Sequence, residues 1–391
     1  MRRLVIIAPV VIAALLAAGS MQSAAAADPG PSVTLQVTPA TVDFGQPVKF
    51  RGQITPPSGG QLVEVLDGHG AVVAHATTAA NGTYASSAKP QHNVTVHAQW
   101  GAAESHRVQV RVRPRLTANR SENVLLFGPV TVSGHLAPPL PGRKVDVTLW
   151  TRGKPVQRFT PMLNKHGNFL VRFEAVHPGR QTVLVHYEDG EHAGVSWRSK
   201  PATPPLPALQ SGSSGVFVQL LEKRLMELHY RVYARDPSFD YRDADSVLAF
   251  HKEQRMPLST SVDQQTWWAL ANPKRPVIRG PKTGTHFEVD LTKQVLLYVV
   301  KGQVEGILHV STGKPSTPTL PGTFHVWTKQ PGTNQEGMYN SSFFDGNRAL
   351  HGYPDVPSYA ASHGCVRIPF WNALWVYHRA PIGIEVLVYN S

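Results

Sequence analysis

Apolar and polar residues alternate along much of the first two hundred positions. Val33-Thr34-Leu35-Gln36-Val37 and Lys144-Val145-Asp146-Val147-Thr148-Leu149 have the period of two that a half-buried strand requires, because successive side chains leave a strand on opposite faces. Glycine and proline clusters separate such runs. Short strands at this spacing predict two tandem immunoglobulin-like β-sandwiches, residues 28–115 and 116–200. An internal repeat supports the pairing. Phe44-Gly45-Gln46-Pro47-Val48-Lys49-Phe50-Arg51-Gly52 is echoed by Phe127-Gly128-Pro129-Val130-Thr131-Val132-Ser133-Gly134, and Asn81-Gly82-Thr83-Tyr84 by His166-Gly167-Asn168-Phe169. Neither copy holds a catalytic constellation, so spacing or adhesion is the expected role.

Residues 201–207, rich in proline, read as an extended, semi-rigid linker, since proline fixes φ and lacks a backbone donor. Beyond it the period changes. Val218, Leu221, Leu225 and Leu228 fall at helical spacing, as do Ala244, Val247 and Phe250, and Ser261-Val262-Asp263-Gln264 reads as a capping box opening a third short helix. Residues 208–272 are therefore a three-helix module. From about Gly284 strands return. Phe287-Glu288-Val289-Asp290, Val295-Leu296-Leu297-Tyr298-Val299-Val300 and Val304-Glu305-Gly306-Ile307-Leu308-His309-Val310 form a meander, with further strands over 322–327 and 384–389 and one helix over 369–378. The fold class expected is multidomain and mainly β, ending in a β-sandwich over 284–391.

The N-terminus changes where this chain is expected to work. Met1-Arg2-Arg3, an apolar run over 4–18 and Ala24-Ala25-Ala26-Ala27 before Asp28 form a secretory signal pattern, residues 1–27, with a retained membrane anchor as the alternative. The protein is expected to be exported to the cell wall. The formal net charge of +12 implies an anionic partner. Wall polymers are such a partner in that compartment; nucleic acid is not expected, because no recognition motif for it is present.

Exported proteins use cysteines in pairs, yet this chain has one, which needs a reason other than an internal disulfide. The lone thiol, Cys365, stands in Ser362-His363-Gly364-Cys365-Val366-Arg367, with Leu350-His351-Gly352-Tyr353 upstream. A thiol near its ordinary pKa is mostly protonated at neutral pH, so a working nucleophile needs a base or a cation beside it. Two histidines offer themselves. His363, two residues before Cys365, shares its face if the chain is extended, whereas His351 lies on a separate strand end; spacing alone does not choose between them. Gly364 permits a turn before the nucleophile, and the amides of Gly364 and Cys365 are candidate oxyanion donors. Arg367 suits bidentate binding of a substrate carboxylate, with a structural ion pair as the other reading. No metal site is expected: the histidines do not fall at zinc-motif spacings, and no cofactor motif is present.

The histidine and cysteine motifs resemble the active-site signature of the L,D-transpeptidase family. Val310-Ser311-Thr312-Gly313, Thr317-Pro318-Thr319-Leu320-Pro321-Gly322-Thr323-Phe324, Gly337-Met338-Tyr339 and Phe343-Phe344-Asp345-Gly346 extend the likeness over the last quarter of the chain. The resemblance implies that residues 284–391 are a catalytic domain in which Cys365 attacks the L,D amide of a peptidoglycan tetrapeptide stem. His351 is then the base, oriented by the Gly352 carbonyl, and an amine of a neighbouring stem resolves the thioester. Arg367, Tyr339, Ser362 and Tyr353 form the implied substrate-binding set, with Ser362 also supporting the loop. Carbapenems are implied acylating inhibitors. An L,D-carboxypeptidase, using water as acceptor, and a catalytically dead wall-adhesion protein are the rival readings. The three-helix module resembles the small peptidoglycan-binding domain, through Ser213-Ser214-Gly215, Leu228-His229-Tyr230, Ala249-Phe250-His251 and Thr266-Trp267-Trp268-Ala269-Leu270.

Overall fold

The computed structural model describes residues 30–391, so the expected leader, residues 1–27, lies outside the described residues. Among the described residues no helix is long and apolar enough to cross a membrane. The chain forms two compact units. One ends at Arg113 and takes in Glu191–Ala193; the other comprises Pro114–Gly190 and Gly194–Ser391.

Alternation builds the first unit. Along Val48–Thr55 the buried side chains are Val48, Phe50 and Ile54, while Lys49, Arg51, Gln53 and Thr55 face solvent. These apolar residues meet Val63, Val65, Val96 and Val110 of a second sheet in one core. The second unit opens on the same plan. Arg115–Arg120, Pro129–Ala137 and Asn168–Glu174 form one sheet, and Lys154–Phe159, Asp146–Thr151, Gln181–Tyr187 and Val195–Arg198 the other. The repeat seen in the sequence reflects a shared packing device. A β-carbon on Gly52 would lie 2.6 Å from the Tyr84 ring, and one on Gly134 would lie 2.4 Å from the Phe169 ring, so each copy needs a glycine under its aromatic residue.

Helices α1 (Val216–Glu227), α2 (Tyr241–Gln254) and α3 (Gln264–Ala271) stand where the apolar period predicts them. The cap of α3 differs from the one read in the sequence. Asp263, not Ser261, is the N-cap: its carboxylate accepts the Thr266 amide at 2.7 Å, and the Asp263 amide donates to Thr266 Oγ1 at 3.3 Å. A carboxylate suits the positive helix end, and the Ser261 hydroxyl is bonded to Ser259 instead. Residues 201–207 do not hang free as a spacer. Ala202 exchanges two backbone hydrogen bonds with Gln181, and the Pro207 carbonyl accepts the Trp267 indole N–H at 2.7 Å.

The helices are built into the second unit. One apolar cluster unites Phe127 of the second sandwich, Leu221, Leu225 and Trp267 of the helices, and Leu297 and Ile307 of the C-terminal sheet; a fully buried side chain of this size contributes about 1.5–3 kcal/mol. After α1 the chain also covers a sheet edge. The Arg231 amide donates to Ile307 O (3.0 Å) and the Ile307 amide to His229 O (2.9 Å), pairing backbone groups that an open edge leaves unsatisfied.

The C-terminal segment consists of two sheets around one core. In the five-stranded sheet the order is Gln303–His309, Val295–Val300, Thr285–Asp290, Glu385–Tyr389 and Gly322–His325. The four-stranded sheet runs Thr328–Thr333, Tyr339–Asp345, Arg348–Tyr353 and Val366–Pro369. Its last two strands are parallel, with Leu350 level with Val366 and His351 level with Arg367. Helix α4 (Phe370–Arg379) packs on this sheet at Gly352, where a β-carbon would come 2.5 Å from Ala373 Cβ.

Candidate active site

The parallel register brings the two motifs of the sequence together. Leu350, Val366 and Ile368 are at most 1% exposed and enter the core. Strand alternation then sends His351, Tyr353 and Arg367 to the opposite face. Cys365, one residue before its strand and on the parity of Arg367, joins them. Together with Gln330, Asn334, Glu336 and Met338 of the neighbouring hairpin they line a cleft of about 560 Å³.

A sharp bend delivers the thiol to this cleft. Gly364 has φ +116°, where an L side chain is strained, and a β-carbon there would come 2.9 Å from Arg348 Nε. The bend is tied down on both sides: Thr319 Oγ1 donates to Gly364 O at 2.8 Å, and Ser362 Oγ donates to Cys365 O at 2.5 Å while accepting the Gly364 amide at 3.1 Å. Cys365 Sγ lies 3.9 Å from the Met338 sulfur and 3.7 Å from Asn347 O.

His351 is 3% exposed, and its Nδ1 lies 2.9 Å from Gly352 O. A carbonyl oxygen only accepts, so Nδ1 carries the proton and Nε2 keeps its lone pair. The Tyr353 ring stands edge-on to the imidazole at 5.7 Å. Among the described residues no hydrogen bond links the imidazole directly to Cys365. Burial holds this imidazole down at about 4, aided by the Arg367 charge and opposed by the Gly352 bond. Burial likewise pushes the Cys365 thiol up, against the Ala349 backbone and the charges of Arg348 and Arg367. The resting pair is therefore neutral thiol and neutral imidazole.

A pH dependence follows from these two directions. The imidazole gains a proton only as pH falls toward about 4, and the thiol loses its proton only above the ordinary thiol range. Acylation of Cys365 is expected to be flat from about pH 5 to about pH 8, and alkylation by iodoacetamide to be slower than that of free cysteine at neutral pH. Rapid alkylation at neutral pH, with ultraviolet absorbance of a thiolate, would show an ion pair instead.

The other residues singled out in the sequence are distributed unevenly. Arg367 lines the cleft: its guanidinium sits 4.2 Å over the Tyr353 ring and 3.5 Å from Asp355 O. His363 lines the same cleft but does not share a strand face with Cys365, because the Gly364 bend breaks the extended chain; it is exposed, with Nε2 3.3 Å from Lys314 Nζ. The Gly364 amide, read as an oxyanion donor, is engaged by Ser362, so the Cys365 amide is the remaining candidate. Both bonds of the Ser362 hydroxyl, to Cys365 O and from the Gly364 amide, lie within the loop. Tyr339 lies on the α4 side of the sheet, stacked on Phe370 at 4.3 Å and against Gly352; its neighbour Met338 reaches Cys365. Sequence reasoning missed Met338, Asn347 and Arg348. Only the level pairing of the two motifs, which spacing does not reveal, places them beside the thiol.

A thiol, an imidazole of fixed tautomer and a guanidinium on one cleft wall are equipment for acyl transfer. Residues 284–388 match the family model of YkuD, the L,D-transpeptidase catalytic domain. Among solved structures, an L,D-transpeptidase from Xylanimonas cellulosilytica is 34% identical over 49% of this chain and 100% of its own, with a TM-score of 0.44. The catalytic domain of the E. faecium L,D-transpeptidase, acylated by ertapenem, is 28% identical over 28% of this chain and 100% of its own, with a TM-score of 0.24. An L,D-transpeptidase from Mycobacterium smegmatis is 14% identical over 71% of this chain and 98% of its own, with a TM-score of 0.25. No curated protein matches the chain. By the family match and the 34% identical relative, which the chain covers over its full length, the protein belongs to the L,D-transpeptidase family through its C-terminal domain.

Proposed function

We propose that the protein is an exported peptidoglycan L,D-transpeptidase with Cys365 as nucleophile and His351 as base. The observation that carries this reading is the Nδ1 to Gly352 O bond of His351, which leaves Nε2 unprotonated in the cleft that holds Cys365. Cys365 Sγ attacks the carbonyl of the third residue of a tetrapeptide stem, and the thiol proton passes to Nε2. The oxyanion is met by the Cys365 amide. Collapse breaks the C–N bond, D-alanine leaves with the proton from His351, and a thioester remains. An amine of a second stem then attacks the thioester and gives its proton to His351. The C–S bond breaks, the proton returns to sulfur, and a cross-link between third-position residues is released. Arg367, held by Tyr353, faces the stem carboxylate in this scheme.

The helical module is assigned to peptidoglycan and the basic surface to anionic wall polymers. Both partners fit an exported chain with net charge +12. Purified full-length protein incubated with disaccharide-tetrapeptide is expected to yield dimers together with free D-alanine. D-alanine without dimers would establish the carboxypeptidase reading, and neither product would leave an adhesion protein.

A further inference from the structure

Helix α2 presents two charged side chains to the catalytic domain. Asp245 and Lys252, seven residues apart, lie two turns apart on one helix face. Lys252 is only 3% exposed, and its ammonium has three protons to place. Their acceptors are Val310 O at 2.9 Å, Gln294 O at 3.1 Å and His309 Nδ1 at 3.4 Å. With Nδ1 accepting, His309 donates from Nε2 to Asp245 Oδ1 at 3.2 Å, and the second Asp245 oxygen accepts the Trp371 indole N–H at 2.8 Å. Burial pushes the Lys252 ammonium down to about 7, against the pull of Asp245.

Of the two carbonyls held by Lys252, Val310 O belongs to the segment that grips the nucleophile loop, and Gln294 O also accepts the Val310 amide at 3.0 Å. Immediately after Val310, Ser311 exchanges two backbone hydrogen bonds with Arg367, and Thr312 O accepts the amides of both Ala361 and Ser362. Gln294 completes the clamp. Its side chain accepts the Thr312 amide at 2.8 Å and donates to Thr312 Oγ1 at 2.7 Å. Cys365 is thus held from Ser362 on one side and Arg367 on the other by a segment anchored to a helix of the three-helix module.

We propose that Lys252 is a positioning residue for the reaction, and that the three-helix module is a working part of the active site because it fixes the Cys365 loop through Val310, Gln294 and Thr312. This rests on the acyl-transfer reading of that loop. In full-length Lys252→Met, which is unbranched and one atom shorter and removes the three donors, ertapenem acylation is expected to slow about tenfold or more in its maximal rate. The inhibitor concentration for half-maximal rate should stay within about twofold, since the cleft wall is unchanged. Hydrogen exchange, read without inhibitor, should show the Ser362 and Arg367 amides losing about tenfold protection relative to those of Glu385–Tyr389. Should the variant not fold, Thr312→Val, which removes only the Gln294 Nε2 bond, is expected to move both readouts in the same direction by a smaller factor. Unchanged loop exchange in a folded variant overturns the proposal. Absence of acylation in the unaltered protein counts against the acyl-transfer reading, and exchange alone then decides the coupling.

Discussion

In Cys365→Ser protein, ertapenem leaves the mass unchanged, whereas the unaltered chain gains one inhibitor molecule. There is a single cysteine in the chain, so a thioester can form at one atom only. Serine keeps the shape of the loop and replaces a polarisable thiol with a hydroxyl that is far harder to ionise. The base available is an imidazole held down at about 4, too weak to activate that hydroxyl. Dimer formation from disaccharide-tetrapeptide should fall about a thousandfold or more, in line with removal of other enzymic nucleophiles. Intact-protein mass spectrometry reads the first outcome and product analysis the second. An adduct that persists in the variant would place the chemistry elsewhere.

Changing His351 to asparagine is expected to slow acylation about 10²- to 10⁴-fold, the range for loss of a general base. Asparagine offers an N–H toward Gly352 O, so the packing beside the cleft is retained while the lone pair at Nε2 is lost. His363→Ala is the paired control. Its ring lines the same cleft but is exposed and 3.3 Å from Lys314, without the carbonyl bond that fixes the His351 tautomer, so a change of less than about threefold is expected. Single-turnover kinetics with ertapenem separate the two. A large loss in His363→Ala with little change in His351→Asn would reverse the assignment of the base.

How much of this was legible beforehand depended on the range of the interaction. The meander strands and α1 to α3 follow from local periodicity, and the repeat flagged two copies of a glycine-under-aromatic contact. Boundary details shifted where two capping residues competed, as at Ser261 and Asp263. Cys365 and both histidines were visible because each stands in a short contiguous motif, Leu350–Tyr353 or Ser362–Arg367. The choice between the histidines was not, since it depends on a parallel pairing across the Arg348–Tyr353 and Val366–Pro369 strands. The same holds for Tyr339. A one-residue change of parity puts Met338 beside the sulfur and turns Tyr339 toward α4.

By itself the sequence determined the mainly β architecture, the helical interlude and the single candidate thiol, because periodicity and short motifs are local properties of the chain. Only the tertiary structure decided that the His351 imidazole is buried with its Nδ1 bonded to a carbonyl while His363 is exposed on the same cleft, that Ser362 engages the Gly364 amide, and that the helices are fused to the C-terminal domain through Phe127, Leu225, Ile307 and the buried Lys252. Those outcomes depend on register, bend and burial. They arise from contacts between residues far apart in the chain, where one residue of slip sends a side chain to the other face of its sheet.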